Sequence, residues 1–421
     1  MAGRKLKIGL LGCGTVGRGL VELLAKKESL IQQRTGVTLG ITKILVRDLE
    51  KPRRGVDQAL LTTDPDRVLN NGCDLVVELV GGIEPARSFI QHSLRRGKHV
   101  VTANKALLAQ EGFSLLKTAE MRNVRLGFEG SVCGGIPIIR ALRNGLVGND
   151  IQSISGILNG TCNYILTRMT DDRMDFDEAL AQAQSLGFAE ADPSLDVDGQ
   201  DAAQKLKILA ELAFGAELPT DAVDVEGVRD ITLDDVQAAR ELGYTIKHIA
   251  VAEVIDGSLM LRVGPMLVPR NHQLAGIRDE NNAVVVRGDA VGEMVFSGKG
   301  AGSLPSASAV LSDVIDIACH KGGFAIGPTG ETKPCTSDYS SSHYLRFAVR
   351  DPVAIGPVTT VLEREGLGIQ SASASWAKCE SGSHHVRVVT HWSPRSVVDR
   401  AVAAIATAGH ASQQFVVRIA G

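Results

Sequence analysis

Five acids and a lysine crowd one short stretch of the chain. Glu190, Asp192, Asp196, Asp198 and Asp201 fall within twelve positions, and Lys205 follows four residues after the last acid. Carboxylates in such a set can grip a cationic or hydroxylic ligand. A lysine free in water titrates at about 10.4, so one set among carboxylates on an apolar edge needs a reason. On a helical wheel of about 100° per residue, Gln204, Lys207 and Glu211 make one polar stripe. Asp201 and Lys205 lie off that stripe, beside Ile208, Leu209 and Leu212, on the side expected to face the interior. Asp201 also falls in the first helical turn, where the helix dipole favours an acid. Two readings stay open on this helix alone: an i,i+4 ion pair that also caps the helix, or a working acid–lysine pair.

Elements upstream could deliver a cofactor to such a pair. Lys5 to Leu11 reads as a buried parallel strand. It runs into Gly12-Cys13-Gly14-Thr15-Val16-Gly17 and a helical pattern from Val16 to about Gln33. A G-x-G-x-x-G between a strand and a helix is a dinucleotide-binding pattern. Gly12 serves the tight turn, Gly14 the approach of a pyrophosphate, and Gly17 close packing of helix on strand. The next strand, Ile41 to Val46, ends in Arg47-Asp48, with Lys51, Arg53 and Arg54 close behind. An acid there meets the ribose hydroxyl of NAD and an arginine the 2′-phosphate of NADP. The basic cluster favours NADP, while Asp48 keeps NAD compatible. Strands Leu75 to Val80 and His99 to Thr102 follow, and Lys105 stands just past the second, either as a substrate-facing cation or as a helix starter.

The loop Glu129 to Pro137 holds three glycines and one acid. It is either a tight turn into the next helix or, through one carboxylate and exposed carbonyls, a hard-cation site. Gly298-Lys299-Gly300-Ala301-Gly302 is a helix-entry turn or a wall beside the cofactor. Runs of Val, Ile and Ala over 222–228, 248–263 and 283–286 predict strands of a second, α+β domain. Past a Gly/Pro/Ser/Thr-rich linker at 327–342, the order of elements is βαββαβ, a ferredoxin-like split. That module resembles an ACT domain, although Gly356 stands off the glycine position of the ACT pattern.

Composition narrows the classes. The chain of 421 residues is 44% hydrophobic and 22% charged, with net charge −3 and 4% aromatics. It can bury the cores of two or three domains, and without a basic block it is not expected to bind nucleic acid. No apolar run reaches the roughly 18 residues of a membrane span, and the short apolar N-terminus reads as a strand rather than a signal peptide. Seven scattered cysteines without a C-x-x-C fit a reducing cytoplasm, with neither a zinc site nor a disulfide frame.

Taken in order, GLLGCGTVGRG from Gly9, TANKALLA from Thr102, FEGSVCGGIPII from Phe128, GILNGTCNYIL from Gly156, GFAEADPSLDVDGQDAAQKLKIL from Gly187 and GKGAGSLPSASAV from Gly298 resemble homoserine dehydrogenase along nearly the whole chain. Gly130, Phe188 and Lys299 depart from residues common in that family. The resemblance implies NAD(P)-dependent interconversion of L-homoserine and L-aspartate 4-semialdehyde, on the route to threonine and methionine. It implies proton transfer by Lys205, with Lys105 beside cofactor and substrate as a second candidate. Glu190 would bind the substrate amino group, and Asp196 and Asp201 would hold the amino-alcohol. Thr15, Val16 and Gly302 would touch the dinucleotide. A monovalent cation, typically sodium, would sit at Glu129 and the carbonyls of Val132, Gly134 and Ile136. A homodimer through the middle domain, and threonine as an effector, belong to the same expectation.

The fold expected is α/β: a Rossmann-type doubly wound sheet over 1–140 with 300–325 packing back on it, an α+β substrate and dimerisation domain over 141–326, and the ACT-like module over 343–421. Two rivals remain at this stage. A phosphorylating semialdehyde dehydrogenase would need a cysteine nucleophile, for which Cys133 and Cys162 are the candidates. A non-catalytic protein sensing NAD(P) and an amino acid would have little use for the Asp201/Lys205 pair.

Overall fold

The computed structural model describes residues 4–319, 333–376 and 382–420. The chain forms two compact units, one of Met1–Ile154, Gln204–Ala222 and Asn281–Lys333, the other of Ser155–Ala203, Val223–Glu280 and Pro334–Gly421. Among the described residues no helix is long and apolar enough to cross a membrane.

The first unit opens on β1 (Arg4–Leu11), α1 (Thr15–Thr35), β2 (Val37–Leu45), β3 (Leu61–Thr62), β4 (Leu75–Glu78) and β5 (His99–Thr102), then α2 (Lys105–Met121) and β6 (Leu126–Gly127). The strands pair in parallel in the order β3-β2-β1-β4-β5-β6. Their near-continuous runs of Val, Ile and Leu are buried, as in a sheet covered on both faces. Strand order reverses between β1 and β4, and such a reversal leaves a crevice at the carboxyl ends of the strands.

Further along come α3 (Gly160–Asp171), α4 (Gln200–Phe214), α5 (Leu233–Glu241), β7 (Tyr244–Ile255) and β8 (Ser258–Pro269), of which α4 belongs to the first unit from Gln204 onward. The apolar run over 248–263 spans parts of two strands. Asp256 (φ 48°) and Gly257 (φ 80°) are both left-handed, the two-residue turn for which Asp-Gly is suited, and they fold β7 antiparallel onto β8. Back in the first unit, β9 (Asn281–Gly288) and β10 (Gly292–Lys299) form another hairpin. The sequence pattern revealed only the first of these strands. Helix α6 (Ser303–Cys319) shares a core with the parallel sheet: Ala307, Val310 and Val314 cluster with Leu6, Ile8 and Val101. Gly19 on α1 permits that approach, since a Cβ there would stand 2.7 Å from Ser303 O.

The C-terminal elements are β11 (His343–Val349), α7 (Ile355–Arg364), β12 (Ile369–Ala374), β13 (His384–Thr390), α8 (Arg395–Thr407) and β14 (Gln413–Ile419), the expected βαββαβ. Their strands pair antiparallel in the order β14-β11-β13-β12 over Leu345, Phe347, Val386, Val388, Val398 and Ile405. Strand β14 also pairs in parallel with β8 (Met266 with Arg418, Leu267 with Ile419), so these strands share the sheet of the second unit. Of the linker expected at 327–342, residues 327–332 lie outside the described residues. Cys335–Thr336 joins β8, and Ser340–Ser341 pairs with Ser393–Pro394.

Candidate functional site

The glycine loop behaves as its spacing predicted. Gly12 has φ 97°, and a Cβ on it would meet Leu79 O at 2.6 Å; a Cβ on Gly17 would meet Gly12 O at 2.5 Å. Around Gly14 nothing lies within 4 Å of where a Cβ would be. Gly14 is also the N-cap of α1, so the first turn has no side-chain cap and its N–H groups suit a phosphate. Thr15 begins that helix, and its carbonyl accepts from Ser303 Oγ at 2.9 Å. Val16 is half-buried, and Gly302 is left-handed at φ 126°. A cavity of about 880 Å³ is lined by Gly12, Gly14, Thr15, Arg18, Arg47, Asp48, Lys51 and Arg53, but not by Arg54. These features fit a dinucleotide.

Lys105 is the first residue of α2 and half-buried. A network that sequence reading missed fixes the strand ends before it. The wholly buried Glu78 accepts from Val80 N (2.7 Å), Gly81 N (3.0 Å) and Thr102 Oγ1 (2.6 Å). Asn104 caps α2 through Leu107 N and donates to Gly82 O at 2.6 Å. A carboxylate at the end of an apolar strand was the only signal available.

Glu129 is 3% exposed. Its carboxylate accepts from Ile139 N (2.9 Å) and Arg140 N (2.8 Å), and its own N–H donates to Asp313 Oδ2 at 2.8 Å. Burial pushes the Glu129 carboxyl above its ordinary range, partly offset by those two N–H bonds. It also pushes Asp313 up to about 7, with Glu129 adding to the rise. Val132, Gly134 and Ile136 are buried in the same loop, which is stitched to the Lys299–Gly300 turn by Gly134 N to Gly300 O (2.8 Å) and Gly135 N to Lys299 O (2.9 Å). A cavity of about 410 Å³ is lined by Glu129, Gly134, Ile136, Arg140 and Lys299. Among the described residues no group of three His, Cys, Asp or Glu side chains could hold a metal ion. One carboxylate with loop carbonyls fits a hard cation, and with Arg140 and Lys299 on the cavity a single charge suits it better than a double one.

The acid-rich stretch separates into parts. Ser194 lowers the Asp192 pKa, first through its hydroxyl and then through its N–H, which donates to Asp192 at 3.1 Å; Asp198 pairs with Arg229 at 2.5 Å. Both serve the turn Ser194–Val197 that precedes α4. Gly199 (φ 84°) closes that turn against Val225, Glu226 and His248. Glu190 is exposed, its backbone carbonyl held by Gln184. Asp196 and Asp201 are brought together, because Asn159 Nδ2 donates to both, at 2.8 and 2.9 Å. Asp201 is 3% and Lys205 9% exposed, one turn apart on α4. The polar stripe forecast on this helix is itself inside: Lys207 is 5% and Glu211 6% exposed, paired with each other.

The cysteine candidates do not look like nucleophiles. Cys133 is 1% exposed beside Asn282, and Cys162 is fully buried with its thiol donating to Asp196 O at 3.2 Å.

A family model described as homoserine dehydrogenase, NAD binding domain, matches residues 12–129, and one described as homoserine dehydrogenase matches residues 137–315. The homoserine dehydrogenase of Bacillus subtilis is 38% identical over 397 residues, covering 92% of this chain and 92% of that protein. That of Pseudomonas aeruginosa is 38% identical over 419 residues, covering 96% and 95%. Among solved structures, a homoserine dehydrogenase from Thiobacillus denitrificans has a TM-score of 0.92 at 36% identity, covering 99% of this chain and 98% of that one. A hyperthermophilic archaeal homoserine dehydrogenase in complex with NADPH has a TM-score of 0.64 at 28% identity, covering 74% and 97%.

Proposed function

The chain belongs to the homoserine dehydrogenase family, and on that premise we propose how its residues divide the work. The protein is an oxidoreductase that interconverts L-homoserine and L-aspartate 4-semialdehyde with a nicotinamide cofactor. Neither the cysteine-dependent rival nor the non-catalytic sensor has support.

Lys205 is the general acid when the aldehyde is reduced and the general base when the alcohol is oxidised. Its near-complete burial one helical turn from Asp201 is the observation that supports this assignment, because a lysine is seldom taken out of water without a task. Lys105, at the end of β5, assists beside the cofactor. Asp201 and Asp196 hold the polar groups of the amino-alcohol, and Glu190 takes its amino group. The nicotinamide, when bound, supplies or accepts the hydride.

Gly12, Gly14, Thr15, Val16 and Gly17, with Gly302, would hold the dinucleotide through its pyrophosphate. The cluster of Arg47, Lys51 and Arg53 on the cavity favours NADP over NAD, and the NADPH complex of the archaeal relative supports that choice. A monovalent cation, in the first instance sodium, would be held by Glu129 and the carbonyls of Val132, Gly134 and Ile136, where it would add order to that loop. The protein works in the cytoplasm as a homodimer, with threonine as an effector read through the ACT-like C-terminal module.

The test is NADPH and NADH oxidation with L-aspartate 4-semialdehyde, with and without threonine. Lys205→Ala should lose about a hundredfold or more in kcat. Full activity in that variant removes Lys205 from the mechanism.

A further inference from the structure

The carboxylates of Asp196 and Asp201 are bridged by one side chain from elsewhere in the chain. Asn159 precedes α3 and is 3% exposed. An asparagine amide has two N–H donors and one carbonyl. Here Nδ2 donates to Asp196 Oδ1 at 2.8 Å and to Asp201 Oδ2 at 2.9 Å, while Oδ1 accepts from Cys162 N at 2.8 Å as the N-cap of α3. The orientation is fixed by chemistry: turned over, the amide would set its carbonyl against two carboxylates and its NH₂ against a backbone N–H. Thr161 Oγ1 stands 3.1 Å from the other oxygen of Asp196.

We propose that Asn159 is a positioning residue for the reaction, which lets Asp196 and Asp201 stay ionised side by side and sets the angle at which each faces the substrate. Two carboxylates this close oppose each other's ionisation unless donors stand between them. Charged and titratable groups also surround the pair. His248 on β7 is buried and neutral, its Nε2–H on Glu226 O at 3.0 Å. Arg262 on β8 is spent on Asp224 and Glu226, and Arg229 on Asp198. The Cys162 thiol lies on the backbone carbonyl of Asp196. Lys205 follows Asp201 one turn along the same helix and adds a cation beside the bridge that Asn159 makes. The inference therefore rests on the assignment of Asp201 and Lys205 made above.

Substitutions can separate the cap from the bridge. Serine is as good an N-cap as asparagine, so Asn159→Ser keeps α3 capped and removes both amide donors. Asn159→Asp keeps cap and shape and puts a third carboxylate where the donors were. Each is compared with wild type by melting temperature, NADPH binding and the pH profile of kcat/KM for L-aspartate 4-semialdehyde. The Ser variant should melt near wild type and bind NADPH normally. Its kcat/KM should fall about tenfold or more, with the acid limb moved up by about one pH unit. The Asp variant should lose more and shift further. A Ser variant with the wild-type profile overturns the inference, as does an Asp variant with an unshifted acid limb should the Ser variant fail to fold. If Lys205→Ala is fully active, the reading beneath has failed instead. If Lys205→Ala is dead while Asn159→Ser matches wild type, this inference alone has failed.

Discussion

Lys207 and Glu211 form a buried ion pair on the helix that carries Lys205, Nζ to Oε1 at 2.5 Å, and Glu211 Oε1 also accepts from Leu218 N at 3.2 Å. Burial raises the Glu211 carboxyl, and Lys207 pulls it back. Removing one partner of such a pair strands a charge in the interior, whereas replacing both by apolar residues is often neutral. Lys207→Met should therefore cost on the order of 3–5 kcal/mol in urea unfolding. The double variant Lys207→Met/Glu211→Leu should cost far less. Equal losses in the two would show that the pair is not what the helix depends on.

That pair also marks where sequence periodicity stopped working. A wheel puts Lys207 and Glu211 on a polar stripe, and polar stripes usually face water. It cannot see that α4 is surrounded, with Ala202, Leu206, Leu209 and Ala210 also buried. What was legible had short range or a strong period. The parallel strands, the Gly12–Gly17 turn and the C-terminal βαββαβ all came from local pattern. Asn159, Glu78 and Asn282 did not, because their roles depend on partners 24 to 149 residues away in sequence. Asp192 and Asp198 were grouped with the site acids by spacing alone; their partners Ser194 and Arg229 make them scaffold.

Cofactor choice is testable at the tip of β2. Arg47 is exposed and lines the cofactor cavity with Lys51, and Arg53 is tied to the loop by bonds from Nη1 to Asp48 O and Lys51 O, both 2.8 Å. A charge-assisted bond to a 2′-phosphate is worth about 1.5–3 kcal/mol. Arg47→Ala should raise KM for NADPH by about 10- to 100-fold and leave KM for NADH nearly unchanged. Parallel changes for both cofactors would move the 2′-phosphate contact to another residue.

Acid stability should depend on His248. Burial lowers this imidazole from 6.5 to about 4. Between those values the unfolded chain binds a proton that the folded protein does not. The stability is therefore fully present above about pH 6.5 and is lost as pH falls toward 4, by on the order of a few kcal/mol. His248→Gln retains an N–H for Glu226 O and cannot titrate, so unfolding free energy should vary less across that window. An unchanged slope would assign the acid sensitivity elsewhere, His343, lowered to about 3, being the next candidate.

The final prediction concerns the two glycine loops of the first unit. Asn282 on β9 is 1% exposed, and its Nδ2 donates to Cys133 Sγ at 3.3 Å. Cys133 is left-handed at φ 47°, a conformation that costs a non-glycine residue energy unless its neighbours hold it. Gly300 lies directly against the Asn282 amide, and a Cβ there would overlap it. Gly300 has no positive φ, so the demand for glycine at this position is steric. Gly300→Ala should cost about 1–3 kcal/mol by overpacking and lower activity, because the same turn holds Gly134 and Gly135 through its carbonyls. Shortening the opposing side chain should relieve the overlap. In a cycle of Gly300→Ala, Asn282→Ser and the double variant, thermal unfolding should give a favourable coupling of about 0.5–3 kcal/mol. Simple additivity would mean that the loop yields elsewhere and that Asn282 is not the wall that Gly300 accommodates.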